Sequence, residues 1–362
     1  METQNYSFLP IDHKTYLTNI KDGSSVTFYN HSERLEFLTS QKRALNTFSI
    51  KKNGKQVGVL SYQKVPAKSG TFIYFQHSPI LYSLDVAQDQ LFWNDLFSFA
   101  YQQGRKENAV YARFTPRILG TTDVQEMLDK AGFKKAPVQE VDAAVTRIVE
   151  LPTFSEKKLS VPINERLEKA RKSDLSVTFS TEAAAFESFM VLYKRIISKT
   201  DTFKLPFEYM KQELEIYMKA KKLLIALTAD SQGTVYSGAA IVIDKPHAWY
   251  YWTVTSDKGE ELASHELLIR ELITKLKDDN YEVLDLWGEA VPQEVYERKL
   301  SHPWVGIDTM KKGFGTILRE FITPVDVPIN NAIYRASCLY QRFNMSRRGY
   351  PFLDFEFPEA KR

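Results

Sequence analysis

The hydrophobic and polar positions of this chain predict one series of elements twice over. In the first series, strands at 48–50 and 57–62 flank Asn53-Gly54, a dipeptide that tolerates the positive φ angles of a hairpin turn. An aromatic strand at 71–75 follows, then a helical run at 90–103 and a strand at 110–114. The second series reads strand 223–229, a turn at Ser231-Gln232-Gly233, strands 234–243 and 248–254, a helix at 264–277 and a strand at 283–287. Order and type agree, and the offset is nearly constant from the turn (Gly54 against Gly233) to the last strand (Val110 against Val283). A tandem repeat of one α/β domain is the simplest account.

Helical stripes fill the remainder. Phe186, Phe189, Met190, Tyr193, Ile196 and Ile197 keep a 3.6-residue period over 186–199, and a further helix is expected at 206–221. Leu268, Ile269, Leu272, Ile273 and Leu276 form the apolar stripe of a helix that covers one face of a sheet. Pro152 and Pro162 interrupt the pattern around 151–155 and mark a linker. The expected division is therefore 1–155, 156–341 with a linking basic helix, and a tail 342–362 of little periodicity. That basic helix, 164–173, carries Arg166, Lys169, Arg171 and Lys172. It reads either as a solvated surface or as one that faces phosphate.

Composition narrows the classes. With 362 residues and 43% hydrophobic side chains, there is enough chain for two cores. The 23 Phe, 19 Tyr and 5 Trp suit aromatic strands and cleft walls better than a stacking platform for bases. A net charge of +3 does not demand a nucleic-acid partner, although a local patch could still carry the field. One cysteine, Cys338, excludes an intramolecular disulfide and fits a reducing compartment. The expected location is cytoplasmic, because 1–5 begin no signal segment and no apolar run approaches the ~20 residues of a membrane span. The six histidines have no metal-ligand spacing, so no metal is expected. No Ser-His-Asp or Cys-His arrangement stands out.

Helices, then antiparallel strands, then a helix and a further strand resemble the GNAT acyltransferase superfamily. The expected fold is accordingly α/β (α+β): two tandem GNAT-like domains, each a mixed, mainly antiparallel sheet flanked by helices. Members that use an acyl-CoA hold its pyrophosphate on a glycine-rich turn at a helix N-terminus after the fourth strand. Here that turn, 255–262, has one glycine among Asp257, Glu260 and Glu261, and its counterpart at 76–82 has no glycine. No cofactor is expected.

Three segments resemble the FemABX aminoacyltransferases. Leu284-Asp285-Leu286-Trp287-Gly288 is similar to that family's strand ending in Asp-x-x-Gly. About twenty residues later, Met310-Lys311-Lys312-Gly313-Phe314-Gly315 is similar to its Phe-Lys-x-x-Phe-Gly box, with Met310 in place of the first Phe. Residues 325–334 resemble its closing strand and tyrosine-bearing helix. The resemblance implies transfer of an amino acid from aminoacyl-tRNA to the stem peptide of a nucleotide-linked or lipid-linked peptidoglycan precursor. The alternatives are an N-acyltransferase using an acyl-CoA or carrier thioester, and a non-catalytic binding module of the same fold. A monomer in peripheral contact with the inner membrane face is expected.

Within that reading Lys311 is the partner of the oxyanion or of a phosphate from a glycine-flanked loop, and its removal is expected to leave folding normal. Arg166 and Lys172 meet the acceptor's phosphates. Asp285, Gly288, Phe314 and Gly315 border the cleft with Tyr250, Tyr251 and Trp252, Asp285 either orienting a donor hydroxyl or holding the next loop. Strand alternation sends Tyr250 and Trp252 to one face and Tyr251 to the other.

Overall fold

A computed structural model describes residues 6–23, 25–137, 144–197, 207–288 and 305–348. Its strands are β1 (Tyr6–Pro10), β2 (Leu45–Lys52), β3 (Lys55–Ala67), β4 (Gly70–Gln76), β5 (Ile80–Leu81), β6 (Tyr111–Thr115), β7 (Lys134–Lys135), β8 (Val145–Glu150), β9 (Leu175–Ser180), β10 (Leu223–Asp230), β11 (Val235–Asp244), β12 (His247–Thr255), β13 (Val283–Gly288), β14 (Ile317–Glu320) and β15 (Val325–Pro328). They form two sheets, and the described residues divide into two compact units. The first lies within Met1–Ala144 and Glu320–Arg362, the second within Val145–Val295 and Ser301–Arg319.

In the first unit β2, β3 and β4 pair antiparallel in succession, and β6 returns parallel to β4 after the helix Gln90–Lys106. Asn53 (φ 50°) and Gly54 (φ 80°) both take the left-handed conformation that a two-residue hairpin turn requires. The sheet order is β1-β2-β3-β4-β6-β15-β7, with β5 on β3. Its core holds Phe75 stacked on Phe114 at 4.0 Å, with Phe92, Trp93 and Leu96 from the crossover helix.

The second unit repeats the plan. β10, β11 and β12 pair antiparallel, and β13 returns parallel to β12 after the helix Ser264–Asp278. The order is β14-β8-β13-β12-β11-β10-β9. Leu268, Ile269, Leu272, Ile273 and Leu276 pack over Ala226, Ala239 and Ala248, whose short side chains let the helix approach the sheet. Each such Leu or Ile contributes roughly 1.5–3 kcal/mol by burial. The expected tandem GNAT-like, mainly antiparallel sheets are thus present, with the repeated element order intact.

The boundary differs from the sequence expectation. β8, placed in the first domain by the linker at 151–155, pairs with β13 of the second unit. β15, expected in the second domain, pairs with β6 of the first. Each sheet therefore gains a strand from the segment that follows the other repeat. The expected irregular tail also changes, because the helix Asn331–Arg348 runs through 342–348. Its buried side includes Tyr334, Ser337 and Gln341, so an apolar period does not announce it. Residues 349–362 lie outside the described ones. Among the described residues, no helix is long and apolar enough to cross a membrane.

Candidate functional site

The site lies where β12 and β13 part. Their parallel register covers only His247–Trp249 against Val283–Asp285. Beyond it β12 stays with β11 as far as Thr255, and β13 stays with β8 as far as Gly288. Both strands bulge at the parting. In β12, Ile241 faces Tyr250 and Ala240 faces Trp252, which leaves Tyr251 as the extra residue. In β13, the register against β8 shifts between Asp285 and Gly288, and Trp287 takes φ 59°. A bulky residue in the left-handed region costs on the order of 1–3 kcal/mol, so neighbouring groups must hold it there.

Two groups do so. Asp285 is buried, and its Oδ1 accepts from the Trp287 amide at 2.8 Å and from Thr146 Oγ1, fixing the bulge from within. Lys311 fixes it from outside, its Nζ donating to the carbonyls of Trp287 at 2.8 Å and Gly288 at 2.5 Å. The lysine is only 6% exposed. It sits in the last turn of the helix Val305–Gly313, not in a loop as its glycine neighbours suggested. Those glycines serve packing instead. A Cβ on Gly313 would fall 2.5 Å from Ile163 Cγ1, and Gly315, at φ +67°, comes so close to Lys158 that a Cβ would lie 2.8 Å from its carbonyl oxygen. Phe314 is fully buried in the core and is not a cleft residue.

The bulge in β12 overturns the expected alternation. Tyr250 enters the core beneath the helix Ser264–Asp278, where burial raises its phenol pKa. Tyr251 leads to the helix Phe207–Lys219, donating to Glu213 Oε2 at 2.9 Å. Trp252 leads to the helix Ala183–Ile197, its ring edge-on to Tyr193 at 6.1 Å. Trp287 stands edge-on to Tyr251 at 6.2 Å, so the bulges of both strands share an aromatic wall. Glu213 escaped the sequence reading. Its signal was a carboxylate on the apolar side of a helix, among Tyr209, Met210, Leu214 and Tyr217.

The basic helix is Val161–Arg171 and belongs to the second unit, held by Ile163, Leu167 and Ala170. Arg166 is partly exposed and already paired. It donates through Nη2 to Glu266 Oε2 at 3.2 Å and to the Glu260 carbonyl at 2.9 Å, and through Nε to Glu266 Oε1. Arg171 pairs with Glu168 at 2.7 Å. Lys172 is exposed at the helix C-cap. Of the basic pair expected to bind phosphate, Lys172 is unengaged by these carboxylates, while the partly exposed Arg166 spends its hydrogen bonds on Glu266 and the Glu260 carbonyl.

These contacts lie at the start of the helix Ser264–Asp278, beside the turn at 255–262. Glu266 occupies the first turn of the helix Ser264–Asp278 and is 6% exposed. The preceding amides are already used: Gly259 N donates to Ser256 Oγ, Glu260 N to Ser256 O, Leu262 N to Lys258 O and Ala263 N to Glu260 O. A Cβ on Gly259 would lie 2.7 Å from the Tyr236 carbonyl, so this glycine serves close packing. Beside it, His265 lies between Thr255 Oγ1 (2.8 Å from Nδ1) and Tyr250 OH (3.4 Å from Nε2). Burial lowers its pKa to about 4, aided by the charges of Lys311 and Arg166 and opposed by Glu266.

No family model matches the chain, and no curated protein matches it. Solved structures do. The crystal structure of FemX aligns with a TM-score of 0.72 at 13% identity, over 92% of this chain and all of that one. L-PGS from Bacillus licheniformis aligns at 0.55 and 12% identity, covering 93% of this chain and 98% of its own. A tandem GNAT protein from the clavulanic acid biosynthesis pathway aligns at 0.54 and 9% identity, covering 90% and 99%. At these identities the likeness establishes the fold.

Proposed function

We propose, on a tandem GNAT fold of the FemX type, that the second unit is an aminoacyl-transfer centre. It moves an amino acid from aminoacyl-tRNA to an amine on the stem peptide of a peptidoglycan precursor, in the cytoplasm. The observation that carries this reading is a GNAT-type parting of β12 and β13 whose pyrophosphate position is filled by Glu266 and Arg166. A donor that needs no such cradle fits better than an acyl-CoA. The aminoacyl-tRNA ester is one, since its phosphates lie along a polymer and not beside the acyl group.

In the reaction the precursor's amine attacks the ester carbonyl carbon. A C–N bond forms, the C–O bond to the ribose breaks, and the proton lost by the amine ends on the ribose hydroxyl. No side-chain nucleophile is needed. The developing oxyanion needs positive potential in a water-poor site. Lys311 supplies that potential and also keeps the β13 wall in shape through the Trp287 and Gly288 carbonyls. Asp285 acts through the same bulge as a positioning residue. Tyr251, Trp252 and Trp287 offer the aromatic wall against which the acyl group packs.

The test follows labelled amino acid on a panel of charged tRNAs, with nucleotide-linked and lipid-linked precursors and a parallel acyl-CoA arm. Label passing from tRNA to precursor is the expected result. Acetylation of an amine from acetyl-CoA alone, or binding of precursor without turnover, overturns the reading.

A further inference from the structure

Among the described residues the two sheets end on four strands, and three of these carry what discourages a further strand from pairing. β7 is a pair of lysines, β14 holds Arg319 and Glu320, and β1 closes on Pro10. β9 has none of these devices. Its residues, Leu175-Ser176-Val177-Thr178-Phe179-Ser180, include no charge and no proline. One edge of β9 is taken by β10 along its whole length, from Leu175 against Asp230 to Ser180 against Ile225, and no described strand takes the other. Alternate residues of an antiparallel strand aim their N–H and C=O groups to opposite sides, so half of the β9 backbone groups are presented on the open edge. Leu175, Val177 and Phe179 share the face that packs toward the helix Ser264–Asp278, yet all three are only half-buried. Ser176 and Thr178, on the opposite face, are exposed. The apolar layer of the second unit thus stops half finished at an edge that is open to pairing.

The sequence around that edge identifies its occupant. Lys172 precedes the strand and Glu182 follows it, and both are exposed. A second copy of the chain, related by a two-fold axis normal to the sheet, adds an antiparallel strand with like faces together. For the apolar layer to continue, Leu175, Val177 and Phe179 must meet their own kind across the axis. Only one register does so for all three. With the axis at Val177, that residue faces itself, Leu175 faces the second copy's Phe179, and Lys172 falls opposite the second copy's Glu182 at both ends. Moving the axis to Thr178 leaves Leu175 opposite Thr181 and sets Asp174 against Glu182, a like-charge pair. Face and charge therefore select the same register. An extended peptide of another protein would meet the backbone edge but has no reason to match the charges at both ends.

We infer that two copies of this chain pair antiparallel through the open edge of β9, about an axis at Val177, so that the sheet of the second unit runs on into the second copy. This inference does not depend on the proposed reaction, and its readouts do not measure transfer. One short strand pair buries less than a standard interface, so a dissociation constant in roughly the micromolar range is expected. Sedimentation equilibrium of the full chain over roughly 1–200 μM tests it, with monomer expected at the low end and dimer at the high end. Ser176→Lys with Thr178→Lys changes two exposed positions that face each other across the axis, and the opposed lysines should weaken the dimer at least ~10-fold. The melting temperature of the dilute chain should stay unchanged, as for other surface substitutions. Lys172→Glu turns both end pairs into repulsions and should weaken the dimer by ~10-fold, less at high salt, and adding Glu182→Lys should restore most of the loss. Three results overturn the inference: a chain that stays monomeric throughout, as the sequence led us to expect; a dimer indifferent to the lysine pair; or a defect in Lys172→Glu that Glu182→Lys does not relieve.

Discussion

Replacing Lys311 by methionine keeps an apolar stem of similar length and deletes the ammonium. The Trp287 and Gly288 carbonyls then lose the donor now 2.8 and 2.5 Å away, beside a backbone already at φ 59°. A hydrogen bond to a charged group contributes about 1.5–3 kcal/mol, and the two share one cation, so a loss of about 2–4 kcal/mol is expected. For a domain of this size that is roughly 5–15 °C in melting temperature. The sequence alone suggested normal folding for a Lys311 variant; burial changes that expectation. Turnover should fall by ~10²- to 10³-fold, the usual loss for one oxyanion stabiliser. Lys311→Arg should recover part of the stability and little of the turnover, since a planar guanidinium cannot place its charge where the ammonium sits. Lys312→Ala, at an exposed position, should change neither. The assays are calorimetric unfolding and single-turnover transfer from charged tRNA. If Lys311→Met melts within ~1 °C of wild type, allowing for the ordinary scatter of surface changes, the bulge is not held as described. Should it melt early but transfer at the wild-type rate, Lys311 is structural only.

Arg166→Ala should destabilise by about 1–3 kcal/mol, a buried-pair loss discounted for the partly exposed arginine, because Glu266 stays 6% exposed without its partner. Lys172→Ala should leave unfolding unchanged and weaken binding of tRNA or precursor in a salt-dependent way; the reverse pattern would restore Arg166 as a ligand contact. Gly315→Ala, forced to φ +67° with its Cβ against Lys158, should cost at least ~1–3 kcal/mol, whereas Ala263→Gly, relieving φ 56° at a helix start, should raise the melting temperature by a few degrees at ~1 kcal/mol; denaturant titration reads both. His265 is held neutral with a pKa of about 4 against 6.5 unfolded, so the unfolded chain binds more protons between those values and stability falls as pH drops from 6.5 through 4. The loss is at most about 3 kcal/mol, and less where solvent reaches the ring; stability profiles of wild type and His265→Asn should diverge in that window, and parallel profiles would refute the assignment.

The repeat was legible in the sequence because its signals are local. Asn53-Gly54 and Gly233 take the positive φ that their residue types suggest, and the stripe from Leu268 to Leu276 lies on the sheet its period implied. The acidic character of the turn at 255–262 was likewise legible, and the structure adds that Arg166 bonds to Glu266 beside it. Asp285 and Lys311 stood out as residues, and the structure adds their hold on the β13 bulge. That Lys311 is buried at the end of a helix follows from Gly313 and Gly315 closing on Ile163 and Lys158, partners some 150 positions away whose fit no local period records. Tyr251 and Trp287 escape strand alternation because each bulge is decided by register against a neighbouring strand. β8 and β15 are too short to announce which sheet edge they complete; that choice rests on which edge is left open once the repeats have formed. Local patterns therefore fixed the elements and their order, while tertiary pairing decided the strand exchange, the two bulges and the burial of the one cation on which the proposed chemistry turns.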